Sequence, residues 1–121
     1  MDTVKLNNLS EKLLSYMDFI EGRYQEARKS QEKGDFYTEV KPFADEVKAI
    51  NDAWKEEAAS WVRVERPKHI HFKQIESAYD QIEMLSVQAF YPETSRTRFI
   101  NYLQSVKYIL KVMVDELKLN L

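Results

Sequence analysis

Residues 96–119, RTRFINYLQSVKYILKVMVDELKL, decide the fold. Phe99, Leu103, Val106, Leu110, Met113 and Leu117 recur at spacings of 4, 3, 4, 3 and 4. That is the apolar stripe of an amphipathic helix, not the alternation of a strand. Thr94 or Ser95 can cap the helix, which runs to about Leu119.

The same period extends through the rest of the chain. A first helix is expected from about Thr3 to Glu32, with Leu6, Leu9, Leu13, Tyr16, Ile20, Tyr24 and Ala27 on one face. Gly22 interrupts it at a cost of about 1 kcal/mol relative to Ala, and Gly34 follows as its expected C′ residue. Asp35 is a good N-cap for a second helix, whose stripe is Phe36, Val40, Phe43, Val47, Ile50, Trp54, Ala58 and Trp61. The stripe runs through Pro42 in phase, so one helix kinked near Pro42 is expected. The alternative is a short turn at 36–40 and a main helix from near Lys41. The residue before Pro67 leaves the α region, so the helix ends by Arg66. A third helix covers roughly Phe72 to Tyr91. Ile75, Ala78, Ile82, Leu85 and Ala89 face inward with Tyr79 beside them, and Pro92 stops it.

Four long helices joined by short connections give an all-α, antiparallel up-down-up-down bundle, a single domain over residues 1–121. The composition agrees. The 121 residues include only 2 Gly and 3 Pro, too few for the turns of a many-stranded β protein. With 6 Phe, 7 Tyr and 2 Trp the chain is too apolar to be disordered. This topology puts Gly34 and Pro92 at one end of the bundle and Pro67 with both termini at the other. Arg66 and Arg98 should then lie about 30 Å apart.

Charge and cysteine usage exclude several functions. The net charge of −2 argues against general nucleic-acid binding. It divides as net −4 over residues 1–61 and net +2 over residues 62–121. With no cysteine, disulfides, thiolate catalysis and Cys-ligated zinc are excluded. No signal peptide is read at the N-terminus, and the apolar runs are too short to span a bilayer. The expected location is the cytoplasm, with no membrane partner.

No catalytic constellation emerges. A bundle di-metal site needs Glu-x-x-His pairs, and none occurs. His69 and His71, the only histidines, could join Glu76 on a metal. The plainer reading is that His71 helps cap the third helix while His69 packs on the bundle end. A hydrolytic triad lacks a nucleophile turn, and two isolated glycines make no phosphate loop. Glu56-Glu57 and Asp45-Glu46 are adjacent, so on a helix they point about 100° apart and read as solvated surface. Trp54, Trp61, Phe43, Tyr24, Tyr79 and Tyr102 read as core. Their phenols call for a buried network with Arg, Lys or His. No cofactor is expected.

The one concentration of charge is Arg63, Arg66, Lys68, His69, His71 and Lys73, opposed by Glu65 alone. It reads either as cations placed near a helix C-terminus or as a patch for an acidic partner or a phosphate-bearing ligand. Arg96 and Arg98 form a smaller basic spot at the other end.

Arg23-Tyr24-Gln25-Glu26, Asp35-Phe36, Lys41-Pro42, Trp54, Arg66-Pro67, His71 and Gln74-Ile75-Glu76 follow in order. In these the chain resembles the YppE-like family, small cytoplasmic proteins of Gram-positive bacteria related to Bacillus. The resemblance covers nearly the whole length and is most specific over residues 23–76. His69 stands where that pattern carries Tyr, and the 92–97 loop differs from it. The resemblance implies a four-helix bundle and a domain of unknown function, and supplies no reaction, cofactor or partner.

The leading expectation is therefore a non-enzymatic interaction module with an unknown protein partner, binding through Arg66, Lys68, His69, His71 and Lys73. The alternative is a bundle that binds a small ligand or metal, with an unidentified enzyme activity. The chain is expected to be a monomer or a weak homodimer, the latter through Tyr37, Phe90 and Tyr91.

Overall fold

A computed structural model describes residues 3–119. Its helices are α1 (Val4–Ser30), α2 (Lys41–Glu65), α3 (Phe72–Gln88) and α4 (Arg96–Leu119), with a π-helical turn over Phe36–Val40. The helices form a square, α1 against α2 and α4, α3 against α2 and α4.

Contacts between neighbours establish the directions. Ser10, early in α1, meets Met113 late in α4, whereas Tyr24 stacks on Phe99 with ring centroids 3.9 Å apart. Trp54 reaches Ser10, Tyr16 reaches Glu46 and Arg23 reaches Glu39, so α1 and α2 are antiparallel. Arg66 and Arg98 accordingly lie at opposite ends.

The stripes supply the core. All six residues of the α4 stripe are buried, as are Leu6, Leu13, Tyr16, Ile20, Tyr24 and Ala27 of α1. From α3, Ile75, Ala78, Ile82 and Leu85 close the interior. Among the described residues three buried polar ones stand with them, Ser10, Asn51 and Ser86. Ser10 bonds the Leu6 carbonyl at 2.8 Å and accepts from the Trp54 indole at 3.0 Å. Asn51 on α2 donates to the Tyr79 carbonyl at 3.0 Å and to Glu83 at 3.3 Å, joining α2 to α3.

Several local expectations change. α1 ends at Ser30, and its C-cap is Gln31 at φ 60°, not a glycine. Gly34 has no positive φ. Its role is close approach: its N–H donates to the Phe90 carbonyl at 2.8 Å. An added Cβ would meet Phe90 side-chain atoms at 2.9 and 3.0 Å. The disturbance at Pro42 takes the form of the π turn, where the Val40 N–H reaches back five residues to the Asp35 carbonyl. The wider turn gives the proline ring room and puts Pro42 at the start of α2. It also shifts the phase, so Phe36 leaves the stripe and stands 49% exposed. Asp35 caps as expected, accepting from the Tyr37 and Thr38 amides. Bonding to Thr38, first of all to its amide, holds the Asp35 carboxyl below its usual range.

α3 stops at Gln88, short of the expected Tyr91, because the chain turns so that Phe90 enters the core. The 89–95 connection is fastened to α1, with the Tyr24 hydroxyl on the Thr94 carbonyl at 2.6 Å and Arg28 on the Pro92 carbonyl at 3.1 Å. Ser95 caps α4 through the Arg98 amide. Among the described residues no helix is long and apolar enough to cross a membrane.

Candidate functional site

The connection between α2 and α3 carries the charge concentration. α2 ends on Arg66 at φ 47°, a left-handed conformation that few non-glycine residues adopt, with its N–H on the Val62 carbonyl at 3.0 Å. Pro67 then prevents any continuation. Ile70 is fully buried and pins the middle of the connection into the core. His71 is the N-cap of α3 with extended backbone. Its N–H is held by the Gln74 side chain at 2.7 Å. Proline, buried isoleucine and cap therefore hold the segment in place while its polar side chains point outward.

Arg63, Arg66, Lys68, His69, His71 and Lys73 are all exposed. Arg63 touches Ser60 at 3.5 Å. None of the six forms an ion pair with another described residue. His69 does not pack on the bundle end as expected but faces solvent, because Ile70 takes the inward position. Val64 and Phe72 add exposed apolar surface, 57% and 45%.

The structure adds an element that periodicity could not reveal. A half-open groove of about 360 Å³ lies between α3 and α4, lined by Lys73, Gln74, Ser77, Ala78, Gln81, Ser105, Tyr108 and Ile109. Lys73 belongs to both the patch and the groove. The Gln81 Oε1 atom is buried without a hydrogen-bond partner.

A second polar cluster joins α2 to α3. Tyr79 donates its hydroxyl to Asp52, Lys48 pairs with Asp52 at 3.3 Å, and the Lys55 ammonium lies 4.6 Å from the Tyr79 ring centroid. The Tyr79 hydroxyl holds the Asp52 carboxyl below the usual carboxylate range. The carboxylate in turn raises the phenol. The shifts oppose catalysis, since a general base needs a raised carboxylate and a nucleophile a lowered phenol. The cluster fastens two helices. Two further tyrosines bond a carboxylate or a carbonyl, Tyr16 with Glu46 and Tyr24 with Thr94. The network expected with Arg, Lys or His takes this form because the neighbouring helices present acceptors.

No hydroxyl or carboxylate of the described residues is hydrogen-bonded to either imidazole. Among those residues no three of His, Asp and Glu gather into a metal-holding group. Of the expected dimer residues, Tyr37 is 79% exposed, Tyr91 half-buried and Phe90 2% exposed. Phe90 packs against Phe43 and under Arg23, so it is not part of an exposed face.

The fold and this surface define a small all-α four-helix bundle with a basic collar at one end and no assembled catalytic centre among the described residues. The chain belongs to the family described as a bacterial domain of unknown function (DUF1798), whose model matches residues 10–117. It is 30% identical over 112 residues to the uncharacterized protein YppE of Bacillus subtilis (strain 168), covering 93% of this chain and 91% of YppE. The crystal structure of YppE superposes with a TM-score of 0.93 at 29% identity, covering 99% of this chain and 98% of that one. A Listeria innocua protein of unknown function superposes with 0.91 at 34% identity, covering 96% and 93%. A Staphylococcus aureus DUF1798 structure gives 0.85 at 28% identity, covering 93% and 95%. The family, the bundle and the absence of an assigned activity agree with the expectations from sequence.

Proposed function

We propose that this chain is a cytoplasmic interaction module without enzymatic activity, and that the α2–α3 connection docks an acidic surface of a protein partner. The observation that carries this reading is where the charge falls. Lys68, His69, His71 and Lys73 cluster at the N-terminal end of α3, whose first turn has no acidic residue. A helix N-terminus is its positive end, where cations are disfavoured by roughly 0.3–1 kcal/mol each. Arg63, in the last turn of α2, and Arg66, its C-cap, sit where a dipole rewards them. The four cations at α3 do nothing for that helix and suit an anionic partner. Exposed Val64 and Phe72 favour a protein surface over a polyanion. The chain's net charge of −2 would repel a nucleic-acid backbone.

The test is a pull-down with the wild type and an Arg66→Ala, His71→Ala double variant, followed by direct binding of the recovered partner at low and high salt. The expected result is a partner held by the wild type, weakened about tenfold or more in the double variant and released as salt screens the contact. Identical partners captured equally by both proteins, with no salt dependence, would overturn the reading.

A further inference from the structure

We infer that the outer face of α1 docks α1 of a second copy of this chain, antiparallel, with Phe19 of each copy seated over Gly22 of the other. The starting observation is Gly22. It lies inside a 27-residue helix and has no positive φ. A Cβ added there would meet nothing within 4 Å. Glycine weakens a helix interior relative to alanine, and neither a turn nor a close neighbour in the same chain calls for it here. What Gly22 provides is bare backbone facing solvent, where another helix can approach closely.

Phe19, one turn earlier, is the matching projection. Its ring is 49% exposed yet held against the Phe43 ring, with centroids 4.7 Å apart. The helical repeat places Ser15, Phe19, Gly22 and Glu26 on one ridge, on the side of α1 away from the core, and all four are exposed. A projection and a recess on the same ridge are self-complementary, as a two-fold contact requires.

Charge selects the direction and the second copy as occupant. In a parallel pairing each residue of the ridge meets its own counterpart, Glu26 against Glu26 and Lys29 against Lys29. An antiparallel pairing centred between Phe19 and Gly22 instead brings Glu11 beside Lys29 and Lys12 beside Glu26 of the second copy, each pair occurring twice by symmetry. All four residues are exposed. Within the chain Glu11 meets Lys118 at 3.7 Å and Lys12 lies 5.2 Å from the Tyr16 ring centroid, so both stand at the borders of α1 and stay open to a neighbour. Such pairs fix register and orientation. This face is distinct from that of Tyr37 and Tyr91. It leaves both α2–α3 connections uncovered, at opposite ends of the pair.

The test is sedimentation velocity of the full chain from micromolar to millimolar concentration. The expected result is a reversible dimer at the upper end. Gly22→Gln fills the recess with a residue that favours the helix, so it should raise the urea midpoint while weakening the dimer about tenfold or more. Lys29→Glu should weaken the dimer severalfold, and the Glu11→Lys, Lys29→Glu double variant should recover it. A monomer at every concentration would overturn the inference and leave the face to a different protein. A dimer unmoved by Gly22→Gln, or a double variant that associates no more tightly than Lys29→Glu, would overturn it as well.

Discussion

Tyr16 shows how much one side chain can couple stability to pH. Its ring is buried against Phe43 at 5.7 Å, and its hydroxyl donates to Glu46 at 2.6 Å. Burial first, and then the Glu46 carboxylate, push the phenol from 10.0 up to about 12. A raised folded pKa means the neutral phenol is the stabilising form. Its contribution is complete below the unfolded value and is lost as pH rises from about 10 to about 12. Two units correspond to about 2–3 kcal/mol. Urea unfolding of wild type and Tyr16→Phe should therefore show a difference that shrinks by about that amount between pH 9 and pH 12. A constant difference would show that the phenol does not titrate with folding. Tyr16 was legible in sequence as a core position, but Glu46 as its partner was not. That pairing depends on the register of α1 against α2, which no local pattern encodes.

At the scale of elements, periodicity located all four helices, because each buries one stripe and the stripe is the main signal for a helix. The ends were less legible, since they depend on contacts with other elements. Gly34 looked like a C-cap because glycine favours left-handed backbone, yet its place is set by Phe90 from the α3–α4 connection. The cap falls to Gln31 instead, which adopts φ 60° and bonds the Ala27 carbonyl. A non-glycine residue there carries strain of order 1 kcal/mol. Gln31→Gly should relieve it, offset partly by the greater freedom of glycine in the unfolded chain. The expected gain is up to about 1 kcal/mol by urea unfolding, and a loss of stability would refute the strain assigned to this cap. Phe36 teaches the same lesson for α2. Counting in steps of 3 and 4 carried the stripe through Pro42, but one extra residue in the π turn moved Phe36 to solvent.

Over the whole molecule the two ends are built differently. At the end holding residues 31–35 and 89–95, connections are cross-bonded: Gly34 to Phe90, Tyr24 to Thr94, Arg28 to Pro92 and Arg23 to Glu39. Arg23 and Tyr24 therefore serve the construction of the fold here. At the other end, residues 66–71 are held by Ile70 and the two flanking caps, and their charged side chains face solvent. This is why the candidate patch was visible in the sequence as a charge run while the groove beside it was not. Exposed charge survives folding unchanged, but a gap between helices exists only once α3 and α4 pack. The asymmetry predicts an order of opening under native conditions. Amides whose bonds cross between elements, such as Gly34 to Phe90, open only when several fastenings release together. Those of residues 66–71 need only local displacement of Ile70. Native-state hydrogen exchange should therefore give the Gly34 amide a protection free energy near that of global unfolding. The Arg66 amide, bonded only within its own helix end, should exchange at least tenfold faster. Equal protection at the two ends would mean that the bundle opens as one unit and that its basic end is no more adaptable to a partner than the rest.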